Sequence, residues 1–151
     1  LNYVLQQEGG FIYLPPRTVC EKPVQILHVI TDSGVAVFPK LHFFLGSQSQ
    51  IEVVSKKVAM TKEPYWINQV TDFSLEDDAH LRYYQVDDGV DKWHFEAVRA
   101  SLKRNSTCKT VAVTEGGDGI RFDYKVALNG ENGEAALNGV WMLDGNNEAH
   151  S

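Results

Sequence analysis

The residues in this 151-residue chain that could react or bind are five histidines, two cysteines and two acidic pairs. The histidines are His28, His42, His80, His94 and His150, and no two of them stand at a recognised metal-ligand spacing. His28, inside an apolar run, reads as a hydrogen-bonded core or interface residue. His42 and His94 fall on strands and His80 in a turn, where structural or solvated roles come first. Asp77-Asp78 and Asp87-Asp88 have the chemistry for calcium or for a carboxylate pair. Both pairs read as turns, which Asp favours through bonds to its own backbone, and EF-hand spacing is absent. Cys20 and Cys108 are 88 residues apart, in no metal-ligand spacing, and read as two reduced thiols. Cys108 takes an apolar strand position and reads as a small buried hydrophobe, whereas Cys20, before Glu21-Lys22-Pro23, falls in a loop. There is no Gly-x-Ser-x-Gly elbow and no phosphate-cradling loop ending in Lys-Ser/Thr. Gly116-Gly117-Asp118-Gly119 reads as a plain loop, and Asn105-Ser106-Thr107 as a chance glycosylation sequon. No catalytic, cofactor-binding or metal-binding residue is assigned.

The composition sets outer bounds. A length of 151 residues suits a single domain, 1–151, with a continuous core. Apolar residues make up 43% and charged residues 23%, as in ordinary globular proteins. A net charge of −6 argues against a broad nucleic-acid-binding surface. No apolar run reaches the ~20 residues of a membrane span, and no signal peptide is visible, so a cytoplasmic location is expected. The chain begins at Leu1 and stops at Ser151, and both ends read as cuts through a larger protein.

The elements that must position these residues are repetitive. From 39 to 137 an alternating apolar run ending in Leu, a short polar turn and a second apolar run recur four times. The runs end at Leu45, Leu75, Leu102 and Leu128, stepping by 30, 27 and 26 residues. A period of that size marks a stacked array, in which one copy cannot bury its apolar face alone. The spacing predicts one column of these four leucines, with Ile51, Leu81, Cys108 and Ala135 at the matching positions after each turn. The turn-spanning gap is six residues in three copies and seven in the fourth. Segments 55–66, 85–94 and 114–121 read as longer, irregular connections.

Upstream, residues 1–10 read as a short strand or ragged start with a turn at Gly9-Gly10. Residues 11–14 form a strand stopped by Pro15-Pro16, which cannot donate to a ladder. Residues 24–30 are apolar at nearly every position, as in a strand covered on both faces. Helix is disfavoured throughout, because the pattern runs at period 2 and is rich in Val, Ile, Thr and aromatics. Only 93–102 has apolar residues at helical spacing, and its alignment with the other copies favours strand. Two all-β architectures fit: a parallel β-helix with one coil per repeat, or an antiparallel sandwich with one hairpin per repeat. The corresponding activities are a carbohydrate-active β-helix enzyme, suggested by the acidic turns, or a sandwich binding module.

The wording of the repeats adds to this. Gly10-Phe11-Ile12-Tyr13-Leu14-Pro15-Pro16, then Glu21-Lys22-Pro23-Val24-Gln25-Ile26-Leu27-His28, resembles the opening of the core domain of the SufB/SufD family. Phe38-Pro39-Lys40-Leu41-His42, Leu75-Glu76-Asp77-Asp78-Ala79-His80-Leu81 and Leu128-Asn129-Gly130-Glu131-Asn132-Gly133 agree, in order. The resemblance covers essentially the whole chain and is closer to SufD than to SufB. It implies a right-handed parallel β-helix and a non-enzymatic scaffold of SUF iron–sulfur cluster assembly, working with SufB and the ATPase SufC. It implies a cluster held transiently by the full complex, with no cofactor bound by this fragment alone. The family's SufC-contacting segment, and the histidine and cysteine implicated in SufD and SufB, belong to a region beyond Ser151. Cys20 and Cys108 fall on no family ligand motif. A β-helix cut across its axis exposes unpaired edges, so self-association through the 135–142 end is expected.

Overall fold

The structure is a computed structural model that describes residues 1–6, 8–61, 63–88 and 92–151. A single helical turn, α1 (Asn2–Leu5), precedes the strands. These are β1 (Gly9–Leu14), β2 (Val24–Ile30), β3 (Ala36–Val37), β4 (Lys40–Leu45), β5 (Gln50–Ala59) and β6 (Tyr65–Leu75), followed by β7 (His80–Asp88), β8 (Lys92–Leu102), β9 (Thr107–Glu115), β10 (Gly119–Leu128), β11 (Glu134–Met142) and β12 (Glu148–His150). Among the described residues every strand pairing is parallel. One sheet runs β1-β4-β6-β8-β10-β12, with β3 also on β6, and the other β11-β9-β7-β5-β2. Apart from β3 and β4, which share a sheet, successive strands therefore alternate between two sheets, and the chain winds as a parallel β-solenoid of about five turns. Hairpins would give antiparallel neighbours, so the sandwich is excluded.

The leucine column is present. Register pairs Leu14 with Leu45, Leu45 with Leu75, Leu75 with Leu102, and Leu102 with Leu128. Leu14 thus extends the column by one coil. Leu45, Leu75 and Leu102 are fully buried, but Leu128 is 56% exposed, since no described strand covers it from the far side. On the opposite sheet Ile51, Leu81, Cys108 and Ala135 are in register as expected. Phe43, Phe73 and Tyr83 fill the space between the columns, with ring centroids 5.0–6.2 Å apart.

The corners after each leucine are built alike. Arg17, Gln48, Asp78, Asn105 and Asn132 all take left-handed backbone conformations, with φ of 54–62°. Asn and Asp tolerate this region best because their short side chains bond locally. Corners also bond to one another: Gln48 N donates to Asp77 O, Asp78 N to Arg104 O, and Asn105 N to Glu131 O, at 2.8–2.9 Å. Side chains repeat the ladder, as Asn105 Nδ2 donates to Asp78 Oδ1 (2.9 Å) and Asn132 Nδ2 to Asn105 Oδ1 (3.1 Å). The extra residue of the fourth corner puts Gly130 against the Lys103–Arg104 backbone, where a Cβ would overlap it.

Several expectations need correcting. Residues 2–5 form a helical turn, pinned by Asn2 Nδ2 donating to Pro39 O (3.0 Å) and Asn68 O (2.7 Å). Gly9 and Gly10 open β1 instead of turning the chain. Strand β2 is not covered on both faces: it ends its sheet, and Leu27 and Val29 point outward, about half exposed. Most of the supposed connections are strand: 55–59 belong to β5, 65–66 to β6, 85–88 to β7, 92–94 to β8, 114–115 to β9 and 119–121 to β10. Gly89 lies outside the described residues. Apolar alternation stops before these strands do, because their inward positions turn polar. That polar half of the interior is where the chemistry gathers.

Truncating Leu75 to Ala should cost about 2–5 kcal/mol, because a sealed leucine leaves a cavity. Leu128→Ala, at the exposed end of the same column, should cost under about 1 kcal/mol. Urea melts giving equal losses would contradict the packing. Gly130→Ala should cost about 1–3 kcal/mol through overpacking, by the same measurement.

Candidate functional site

The strand phase that buries Ile51 and Val53 carries on along β5 to Ser55 and Lys57. On β7 the inward series Leu81, Tyr83, Gln85 and Asp87 runs the same way. On β8, counting back from Leu102 through Val98, it reaches Glu96 and His94. Register sets Lys57 beside Asp87, and Gln69 of β6 beside Glu96. The result is a cluster of Lys57, Asp87, His94 and Glu96, each no more than 3% exposed, enclosed between the two sheets.

Glu96 is its hub. Lys57 Nζ donates to Oε2 at 3.3 Å and His94 Nε2 at 3.1 Å. Gln69 Nε2 donates to Oε1 at 3.2 Å and Thr71 Oγ1 at 2.9 Å. The other ring nitrogen, His94 Nδ1, lies 2.9 Å from Asp87 Oδ2. The imidazole is thus held between two carboxyl groups, one at each ring nitrogen. Basic and acidic side chains are set against one another, which is how a dry interior accommodates ionisable groups. Phe122 packs against the His94 ring at 5.0 Å, edge to face. Burial alone would raise the Glu96 carboxyl, but Lys57, His94 and Thr71 together outweigh it and hold its pKa at about 2.

His28 lies next to Lys57 on β2. Burial, and then the Lys57 charge, lower its pKa to about 4, so it is neutral at pH 7. Its Nε2 and the Oε1 of Gln69 are buried without a partner.

The chemistry of the cluster is restrictive. The Lys57 amine is tied to a carboxylate, and both His94 nitrogens are occupied. Neither side chain presents a lone pair to a substrate or metal. Among the described residues no group of three or more His, Cys, Asp or Glu is placed to hold a metal ion. The arrangement is suited to locking coils together.

The residues singled out in the sequence scatter. His94 and Asp87 sit inside this cluster, and Asp87 is on strand β7, not in a turn. Asp77 and Asp78 stay on the corner ladder, Asp77 pairing with Arg104 at 3.0 Å. Asp77 and Asp78 thus lie on the corners, apart from Asp87 in the interior. His42 Nε2 meets Ser74 Oγ at 3.1 Å on the outer face. His80 opens β7 instead of lying in a turn and meets Thr107 Oγ1 at 2.9 Å, and His150 is exposed near Glu148. Cys108 is buried, with its thiol pushed up to about 12 by desolvation, and Cys20 is partly buried against the core. Both are free thiols. Asn105 of the sequon belongs to the corner ladder, and Ser106 is buried. Sequence reasoning missed Lys57, Gln69 and Glu96. The available signal was strand phase: each keeps in step with the apolar positions of its own strand.

Two acid limbs follow in the stability of the protein. His28 has a lowered folded pKa, so the unfolded state binds its proton first. Stability should therefore fall as pH drops from about 6.5 to 4, and His28→Leu should flatten that window. Glu96 also has a lowered folded pKa. Its contribution is complete above about pH 4.5 and disappears as pH falls toward 2. Lys57→Met leaves the carboxylate short of a cation and should cost about 3–5 kcal/mol at pH 7. It should also move the lower limb to higher pH. Thermal melts across pH 2–8 read all three effects, and an unmoved lower limb in Lys57→Met would refute the coupling.

The family model described as SUF system FeS cluster assembly, SufBD core domain, matches residues 28–151. No curated protein and no solved structure matches the chain. The match covers well over half of the chain and every residue of the buried cluster, and the protein belongs to the SufBD core-domain family of the SUF iron–sulfur cluster assembly system.

Proposed function

We propose that this chain is a SufD-like scaffold segment of SUF iron–sulfur cluster assembly. It is non-catalytic, located in the cytoplasm, and works in its full-length form with a SufB-like partner and a SufC-like ATPase. The observation that carries the reading is the interior of the solenoid in a member of this family. Lys57, Asp87, His94 and Glu96 are spent on one another, and its buried thiol is raised far from the reactive range. Such an interior supports stiffness. Iron and sulfide are the cargo of the complete assembly, and this fragment by itself binds no cofactor. No described helix is long and apolar enough to cross a membrane.

The far end of the solenoid supports association. Leu128, Leu137, Val140 and Met142 are each 44–56% exposed there, and β11 ends its sheet. An uncovered sheet end of this kind pairs readily with another chain.

Tagged full-length protein should co-purify with SufB-like and SufC-like partners. Recovery of neither under conditions that preserve the complex would count heavily against the scaffold role. For the 151-residue chain, light scattering after size exclusion should show dimers or larger species at high concentration. Leu137→Glu should return it to a monomer, and a wild-type monomer throughout would overturn the association.

A further inference from the structure

A cavity of about 320 Å³ opens between the sheets at the β1–β2 end of the solenoid. It exists because β3 and β4 are one strand broken at Phe38-Pro39, the stretch opposite Asn68 and Gln69 of β6. Its walls include Ile30, Val37 and Ile67. Two polar side chains, His28 and Gln69, also line it. Gln69 is 1% exposed, and its Nε2 is committed to Thr71 and Glu96. Those bonds fix the amide orientation, because Glu96 Oε1 can only accept, and they leave Gln69 Oε1 with no donor. His28 Nε2 is likewise buried without a partner.

A buried carbonyl oxygen and a buried ring nitrogen without partners each cost on the order of 1–3 kcal/mol. One ordered water needs only about 10–15 Å³ of such space, and this cavity exceeds that more than twentyfold. The volume sits at the lower edge of the range of small-molecule sites. Charge narrows the class. Lys57 is already paired with Glu96, and His28 is neutral at pH 7. Glu8, the one charged side chain among the described lining residues, is solvent-exposed. Nothing deep in the cavity would compensate a ligand's charge.

We infer that this cavity is a binding site for a small neutral molecule with an apolar body and an amide-type edge. Its N–H donates to Gln69 Oε1, while the edge also pairs with His28 Nε2.

Benzamide, benzoate and benzamidine share one planar shape and differ in charge at pH 7, so they separate the possibilities. Titrated into the ¹⁵N-labelled chain at pH 7, benzamide should shift amides within 28–30, 36–38 and 67–69, saturating with a Kd on the order of a millimolar. Benzoate and benzamidine should bind at least about tenfold more weakly. Val37→Trp fills the cavity without touching the polar network. It should keep the wild-type spectrum elsewhere and abolish the shifts. His28→Phe should weaken benzamide about tenfold or more. The proposal is overturned if benzamide produces no saturable shift, if the shifts persist in Val37→Trp, or if either charged analogue binds as well as benzamide.

Discussion

A carboxylate sealed between two sheets must be given donors, and Glu96 receives four, from Lys57, Gln69, Thr71 and His94. The rest of the solenoid is consistent with that requirement. The donors come from β5, β6 and β8, and Asp87 on β7 closes the chain of charges through His94. A one-residue slip of β5 or β7 would turn Lys57 or Asp87 outward and leave an opposite charge stranded in the interior. Apolar columns alone discriminate registers less sharply, because leucine, isoleucine and valine substitute for one another at small cost. The cluster therefore specifies alignment as well as contributing stability.

At the other end of each strand the constraint is steric. The β4–β5, β6–β7, β8–β9 and β10–β11 corners each reverse within four or five residues, and each does so through a residue with positive φ. Asp78, Asn105 and Asn132 offset that strain by bonding their side chains in a ladder along the axis. Surface ion pairs lie on the same lines, Lys103 with Glu76 and Arg104 with Asp77, 27 residues apart. Being exposed, they contribute little individually. They show that the repeat is written on the outside as well as the inside. The helical turn at the start is tied to the same framework, with Arg99 Nη2 donating to the Tyr3 hydroxyl at 2.9 Å.

These two devices fix the coils against one another from inside and outside. A stack pinned along both edges resists sliding of one coil past the next, and Lys57, His94, Asp87 and Glu96 in its interior are bound to one another. At the β1–β2 end two unpartnered buried atoms, His28 Nε2 and Gln69 Oε1, belong to residues that line a cavity. The two ends of the solenoid thus differ. One holds a pocket under α1 and the β3–β4 break, and the other exposes an apolar face with Leu128 and Leu137.

The sequence by itself determined the all-β class, the stacked repeat, the register of Leu45, Leu75, Leu102 and Leu128, and the corners. Those features are local or strictly periodic, and a period near 27 residues is visible without knowing what packs where. It also carried the resemblance to the SufB/SufD family, which the family match bears out without distinguishing the two. The inner half of each coil was not legible as structure. Where Ser55, Lys57, Gln85 and Asp87 take over the inward phase, a strand looks like a polar connection, because alternation of hydrophobicity reports burial only while the interior is apolar. For the same reason His94 read as a solvated or structural histidine and Asp87 as a turn residue. Only the tertiary structure decided that Lys57 meets Glu96 across 39 positions of chain, since that contact depends on how two sheets face each other. Coulomb attraction between them matters there because the stack has already excluded the water that would screen it.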